Sequence, residues 1–162
     1  MPTTLSLAEA HALVTGILAA NGCGDRQARV VAEAVVAAER DGATSHGFFR
    51  LPGYVTDLVI GWVDGRAEPV VEDAAPGLVR VDAANGYAQV ALADGRDRLL
   101  AKVRTQGIAA LAIRNSHHFA ALWTDVEPLA DAGLVAFAFG NGRSRVVPFG
   151  VAGRCGAGRR TP

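Results

Sequence analysis

Histidine is the side chain whose unperturbed pKa lies nearest neutrality, and this chain has four. His46 lies in Asp41-Gly42-Ala43-Thr44-Ser45-His46-Gly47, a polar, flexible break between two apolar helical stretches. Function concentrates on such loops. Arg50 follows four residues later, and if the chain turns helical there the two side chains share a face. A guanidinium can grip a carboxylate through two parallel hydrogen bonds. An imidazole beside it can give or take a proton at a carbonyl or imine. The pair therefore suits an anionic keto acid. The same string also reads as Ser45 capping a helix with His46 in solvent, and spacing alone leaves both readings open.

His117-His118 directly follows an apolar, strand-like run. The C-terminal end of a strand in an α/β layer is a common place for ligands. Phe119-Ala120-Ala121-Leu122 would then open a helix whose free N–H groups can hold a phosphate. A strand-end histidine hydrogen-bonded into the structure is the equal alternative. Metal ligation by His46 and the His117-His118 pair is weaker. Neighbouring strand residues point to opposite faces and no carboxylate has ligand spacing, so no metal is expected. His11 lies beside the apolar stripe of the first helix and reads as a surface residue.

The elements that must position these residues follow from periodicity. Ser6 and Glu9 form a capping-box pattern. Leu7, Ala10, Leu13, Val14, Ile17 and Leu18 then form a helical stripe, ended by Asn21-Gly22-Cys23-Gly24. Asp25 restarts a helix with Ala28, Val31, Ala32, Val35, Val36 and Ala38 as its buried face. A third helix is predicted from about Phe49 to Ile60, with Pro52 in its first turn. Val70-Val71 and Leu78 to Asp82 read as strands around the Ala75-Pro76-Gly77 turn, with Asn85-Gly86 as a second turn. A helix is predicted from about Ala88 to Arg104, a buried strand from Gly107 to Ile113, a helix from Leu122 to Ala132 and a second buried strand from Gly133 to Phe139. The expected class is α/β (α+β): N-terminal helices in residues 1–66, a mixed α/β layer in 67–150, and a Gly/Arg-rich tail in 151–162.

Half of the residues are apolar and 20% are charged, which suffices for a buried core. The net charge is zero, so no electrostatic footprint for nucleic acid is expected. No signal peptide and no membrane-length apolar run is read, which makes the cytoplasm the expected location. Cys23 and Cys155 lie far apart with no zinc spacing. Hydride-transfer proteins often carry the G-x-G-x-x-G fingerprint, and it is missing here. Gly22-Cys23-Gly24 joins two helices, and Gly140-Asn141-Gly142 has Arg145 where the third glycine belongs.

The ordered motifs nevertheless resemble a known family. Asp41-Gly42-Ala43-Thr44-Ser45-His46-Gly47-Phe48-Phe49-Arg50-Leu51-Pro52-Gly53-Tyr54 resembles the signature of the malate/L-lactate dehydrogenase type 2 family. Arg114-Asn115-Ser116-His117-His118-Phe119 resembles its N-S-x-H-F segment. Gly133-Leu134-Val135 and Pro148-Phe149-Gly150 fall where its next blocks fall. His117 to Trp123, Asp125-Val126-Glu127-Pro128 and Gly61-Trp62-Val63-Asp64-Gly65 are similar to the branch that reduces Δ1-piperideine-2-carboxylate and Δ1-pyrroline-2-carboxylate.

The resemblance implies a non-Rossmann fold, a homodimer, and NADPH as cofactor, with NADH as the alternative. It implies Ser45 and His46 as the proton-donating pair, Arg50 as the substrate-carboxylate ligand, and His118, Phe119, Ala120, Ala121 and Leu122 as cofactor contacts. The implied reaction is reduction of a cyclic imino acid to L-pipecolate or L-proline. A 2-hydroxy-acid dehydrogenase of the malate, lactate or ureidoglycolate type, or an inactive fragment, are the other readings. Family chains run to about twice this length, through a Pro-Leu-x-Gly-Thr-Asn-Pro block. Here Val151 to Pro162 replaces it, from which a frameshift or truncation near Gly150 is expected.

Overall fold

The structure is a computed structural model and describes residues 4–141. The expectations for Arg145, for Pro148-Phe149-Gly150, for the tail and for Cys155 lie outside the described residues. Three helices come first: α1 (Leu7–Ala20), α2 (Asp25–Arg40) and, after a 3₁₀ turn at Phe48–Arg50, α3 (Leu51–Val59). Then follow β1 (Val70–Ala75), β2 (Leu78–Tyr87), α4 (Ala88–Gln106), β3 (Ala110–His117) and α5 (Leu122–Asp131). The class is mixed α/β, as expected.

Local chemistry explains the helix ends. The Ser6 side chain accepts from the Glu9 amide, while Glu9 accepts from the Ser6 amide, completing the predicted capping box. Gly22 takes φ 94° between α1 and α2, and Gly107 takes φ 76° as the cap of α4; both are left-handed values that glycine adopts without strain. Pro52 sits in the first turn of α3, where its missing N–H removes no helical bond. The predicted stripe of α2 is fully buried. That of α1 is narrower than predicted: Ala10, Val14 and Leu18 are buried, but Leu7 and Leu13 are exposed, because α1 meets its neighbours along a single seam.

The sheet has the order β1-β2-β3. β1 and β2 form an antiparallel pair around the predicted turn, and β2 pairs parallel with β3 after the α4 crossover. Two predictions are corrected. Asn85-Gly86 does not end the strand; it lies inside β2 where the register shifts between Asp82 and Gly86. Ala84 and Asn85 take φ of 51° and 66° there, so the turn-forming preference of Asn-Gly produces a bulge. The run Gly133 to Phe139 forms no ladder with the described strands. It alternates as a strand would, with Val135, Phe137 and Phe139 exposed, because none of the described strands pairs with it. β3 itself begins at Ala110 and runs on to His117, and it is only partly buried.

Two core clusters hold the layers together. One joins α1, α2 and α3 to Tyr87 and Val90 at the β2–α4 junction. The other packs Val79, Val81 and Ala83 of β2 against Ala91 of α4, with Leu111 and Ile113 of β3 alongside. Gly95 lets α4 lie close on the sheet: a Cβ there would meet Val81 at 3.0 Å. Among the described residues no helix is long and apolar enough to cross a membrane.

The bulge in β2 is tightly wedged. A Cβ at buried Gly86 would lie 2.7 Å from the Ala67 Cβ and 2.9 Å from the Ala83 carbonyl oxygen. Gly86→Ala should therefore cost about 1–3 kcal/mol, the usual range for overpacking. Urea denaturation measures this; an unchanged midpoint would show that the bulge has slack.

Candidate active site

The Ser45-His46-Gly47 loop is shaped by α2. After α2 ends at Arg40, capped by Asp41, the His46 amide bonds to the Ala43 carbonyl at 2.8 Å, and the Gly47 amide also turns back to it at 3.2 Å. Glu39, near the end of α2, accepts from the Phe48 amide at 2.9 Å and so starts the 3₁₀ turn. Gly47 is needed because its missing side chain is where the Glu39 carboxylate passes. The chain does not run as one helix from His46 to Arg50, since Gly47 breaks it at φ −85°, ψ −137°. The shared helical face expected for the pair is therefore replaced by a turn followed by the 3₁₀ segment.

Within this loop the Ser45 hydroxyl lies 3.0 Å from Nδ1 of His46, and both side chains are exposed. Nδ1 is thereby occupied, which leaves Nε2 to exchange a proton with a ligand. Arg50 reaches a different histidine: its Nη2 lies 3.5 Å from Nδ1 of His118. Nε2 of His118 lies 2.7 Å from Asp57 Oδ2. The His118 ring packs on Tyr54, with centroids 4.5 Å apart. Buried Gln89 donates to the Tyr54 hydroxyl at 3.1 Å and to the His118 carbonyl at 2.6 Å. Burial holds His118 below the usual imidazole range and outweighs the upward pull of Asp57, with Arg50 adding to the downward shift. Burial thus disfavours the doubly protonated form of His118.

His117, the last residue of β3, points elsewhere, because the chain leaves the strand at His118 with φ 56°. Its Nε2 lies 2.7 Å from Asn85 Oδ1, and its ring meets Trp62 edge-on at 5.8 Å. His11 is half-buried, donating from Nε2 to the Arg29 carbonyl at 3.3 Å, and so ties α1 to α2. Ala120 and Ala121 are buried, whereas Phe119 is 46% exposed. Among the described residues no cluster of metal-ligating side chains occurs.

Beyond β3 opens a cavity of about 1180 Å³, whose wall includes His118, Phe119, Leu122 and Asp125. Ser45, His46 and Arg50 are not part of its lining. Ala84, Asn85, Asn115 and His118 are the non-glycine residues with positive φ among the described residues, and all four line it. Such conformations cost energy and gather at binding and catalytic sites. Asp82 holds two of these positions, Ala84 and Asn115, in relation. It accepts from the Ala84 amide, from both contacts of the Asn115 side chain at 3.0 Å, and from Arg114 at 2.9 Å. The Ala84 bond, then Asn115 and Arg114, lower its pKa.

Residues 5–156 match the family model described as malate/L-lactate dehydrogenase. The chain belongs to the malate/L-lactate dehydrogenase family. Several relatives in this family carry imine-reductase names. A Δ1-pyrroline-2-carboxylate/Δ1-piperideine-2-carboxylate reductase of Pseudomonas putida is 57% identical over 142 residues, covering 88% of this chain and 42% of that protein. A (2R)-3-sulfolactate dehydrogenase (NADP(+)) of Chromohalobacter salexigens is 43% identical, over 93% of this chain and 45% of that protein. The crystal structure of Δ1-piperideine-2-carboxylate reductase from Pseudomonas syringae pv. tomato superposes with a TM-score of 0.80 at 52% identity. That match covers 82% of this chain and 40% of the solved one. The chain thus spans less than half the length of these members of the family.

Sequence reasoning missed Asp57, Tyr54 and Gln89. A signal for two of them was present: Arg50, Tyr54 and Asp57 stand at i, i+4 and i+7, which is one face of a helix. Gln89 had none, since its partners come from α3 and from the residue after β3.

Asp125, in the first turn of α5, carries a testable mark of this cavity. Burial raises its pKa to about 6, partly opposed by Arg96. Its ionised form is thus penalised in the folded chain above pH 6. The penalty fades as pH falls from 6 toward the ordinary aspartate range, where the unfolded chain also takes up the proton. Asp125→Asn should raise the melting temperature at pH 7.5, and the gain should vanish near pH 4. A pH-independent difference between the two proteins would contradict the raised pKa.

Proposed function

We propose that this chain carries the proton-donating and carboxylate-binding part of an NADPH-dependent reductase of cyclic imino acids, Δ1-piperideine-2-carboxylate or Δ1-pyrroline-2-carboxylate. The carrying observation is the Ser45–His46 pair at 3.0 Å on the same short connection as Arg50. The names of the relatives support the substrate class.

In this reading Arg50 receives the substrate carboxylate. Among the described residues no Asp or Glu forms an ion pair with it, so its planar fork is available for a bidentate contact. His46 holds at Nε2 the proton that the ring nitrogen takes up, and Ser45 orients the imidazole through Nδ1.

The cavity wall fits a pyridine nucleotide. Its volume exceeds the roughly 300–1,000 Å³ of ordinary small-molecule pockets, and Phe119 offers an exposed aromatic face to it. The ten-residue helix α5 starts there, and among the described residues no side chain caps its N-terminus, so the Leu122 and Trp123 amides remain to meet a phosphate. His118, Phe119, Ala120, Ala121 and Leu122 would hold the cofactor. When bound, NADPH supplies the hydride that reduces the C=N carbon. In this reading the N-terminal region 1–66 supplies the proton-and-carboxylate side of the site, and the region 67–150 supplies the cofactor side. The assembly is a homodimer acting in the cytoplasm.

A second reading is an open-chain 2-hydroxy-acid dehydrogenase on the same scaffold, favoured by the sulfolactate dehydrogenase relative. The same Arg and His would serve a 2-keto acid. The readings separate in a chimera in which residues 5–141 replace the matching part of the Pseudomonas putida reductase. It should oxidise NADPH with Δ1-piperideine-2-carboxylate; turnover of open-chain keto acids alone would favour the second reading.

In that chimera, His46→Ala should lower kcat by roughly 10²–10⁴-fold, the usual share of a general acid. Unchanged turnover would remove His46 from the mechanism. Arg50→Lys should mainly raise KM, because an ammonium cannot make the planar two-point contact.

A further inference from the structure

Four elements converge on one half-hidden imidazole. The His118 side chain is 11% exposed and sits just after β3 at φ 56°. Asp57 comes from α3, Arg50 from the 3₁₀ turn and Gln89 from α4. The Gln89 bond to the His118 carbonyl fixes the backbone, and Tyr54 covers the ring. The ring can therefore choose neither its place nor its plane, and only its proton remains to be assigned.

The two ring nitrogens face opposite partners. A carboxylate can only accept, so the nitrogen 2.7 Å from Asp57 must carry the hydrogen. A guanidinium can only donate, so the nitrogen 3.5 Å from Arg50 must be bare. A neutral imidazole meets both demands in one tautomer, with the hydrogen on Nε2. The other tautomer would set a bare nitrogen against the carboxylate and an N–H against the guanidinium. Doubly protonated His118 would lose the Arg50 contact and place two cations together.

We propose that Asp57 is a positioning residue which, through His118, aims the Arg50 guanidinium at the substrate carboxylate. The inference rests on the carboxylate-binding role of Arg50 proposed above. Asp57 need not touch the ligand. It selects the tautomer, and the bare Nδ1 then directs one arm of the guanidinium. At 3.5 Å that contact lies at the outer limit of hydrogen bonding, so it steers Arg50 without clamping it. His118 also begins the proposed cofactor-contacting segment, so the same ring links the two sides of the site.

The test uses the 162-residue chain labelled with ¹⁵N at histidine and arginine. Two-bond ¹⁵N–¹H spectra report the tautomer of His118, and pyrrole-2-carboxylate serves as a planar carboxylate probe. The unsubstituted chain should show His118 with its hydrogen on Nε2. Asp57→Asn should populate the Nδ1–H form, shift the Arg50 guanidinium signals and weaken binding of the probe about tenfold. Asp57→Glu, which retains the acceptor, should restore most of each effect. Finding Nδ1–H in the unsubstituted chain would overturn the proposal. So would an Asp57→Asn chain that melts earlier but keeps its Arg50 signals unchanged, which is the behaviour of a merely structural pair. If the unsubstituted chain ignores pyrrole-2-carboxylate, the carboxylate role of Arg50 fails, and the tautomer and Arg50 signals still decide for or against Asp57.

Discussion

The amide of Gln89 is the interaction on which the site depends. It is buried, and its nitrogen donates both to the Tyr54 hydroxyl and to the His118 carbonyl. One side chain of α4 therefore ties the helical layer to the residue that ends the sheet. A buried amide that loses its partners costs about 1–3 kcal/mol, so the three groups are held as a set. That bond also secures His118 in a left-handed conformation that a residue with a Cβ adopts reluctantly. The proposed cofactor and carboxylate sides are thus registered by one hydrogen-bonding group.

Strain and charge are distributed consistently with that arrangement. The bulge in β2 and the left-handed Asn115 of β3 face each other across the parallel ladder, and Asp82 joins them through the Ala84 amide and the Asn115 side chain. His117 is held by Asn85 of the same bulge. The two adjacent histidines consequently have different fates: one braces the bulge, and the other faces Asp57 and Arg50. On the other side, Trp123 of α5 donates to Asp41 at the end of α2, at 3.3 Å, which brings the start of α5 near the Ser45-His46-Gly47 loop. Short connections then suffice to carry the candidate site side chains, because their anchoring points belong to packed elements.

Much of this was legible in the residues. The capping box at Ser6, the buried stripe of α2, Pro52 at the start of α3 and the hairpin around Pro76-Gly77 all follow from local periodicity and turn chemistry. The Asn85-Gly86 turn and the Gly133–Phe139 strand were misread for one shared reason. Left-handed preference and alternation of apolar residues are local signals, whereas pairing depends on which strand lies alongside. β2 found β3 beyond its bulge and so continued, and the extended run after α5 found no partner among the described strands.

The sequence by itself determined the candidate residue types and their order: Ser45, His46 and Arg50 on one connection, and His118 at the end of a strand. It also determined the family, since an ordered set of short motifs is far more specific than any one of them. Only the tertiary structure decided which groups meet. It placed Arg50 against His118 instead of against His46, and it brought Asp57 and Gln89 to the same imidazole. The reason is geometric. A hydrogen bond requires approach to within about 3 Å in a defined direction, and for residues 61 or 68 positions apart that approach is set by the shared core that joins α3 to Tyr87 and Val90 at the β2–α4 junction.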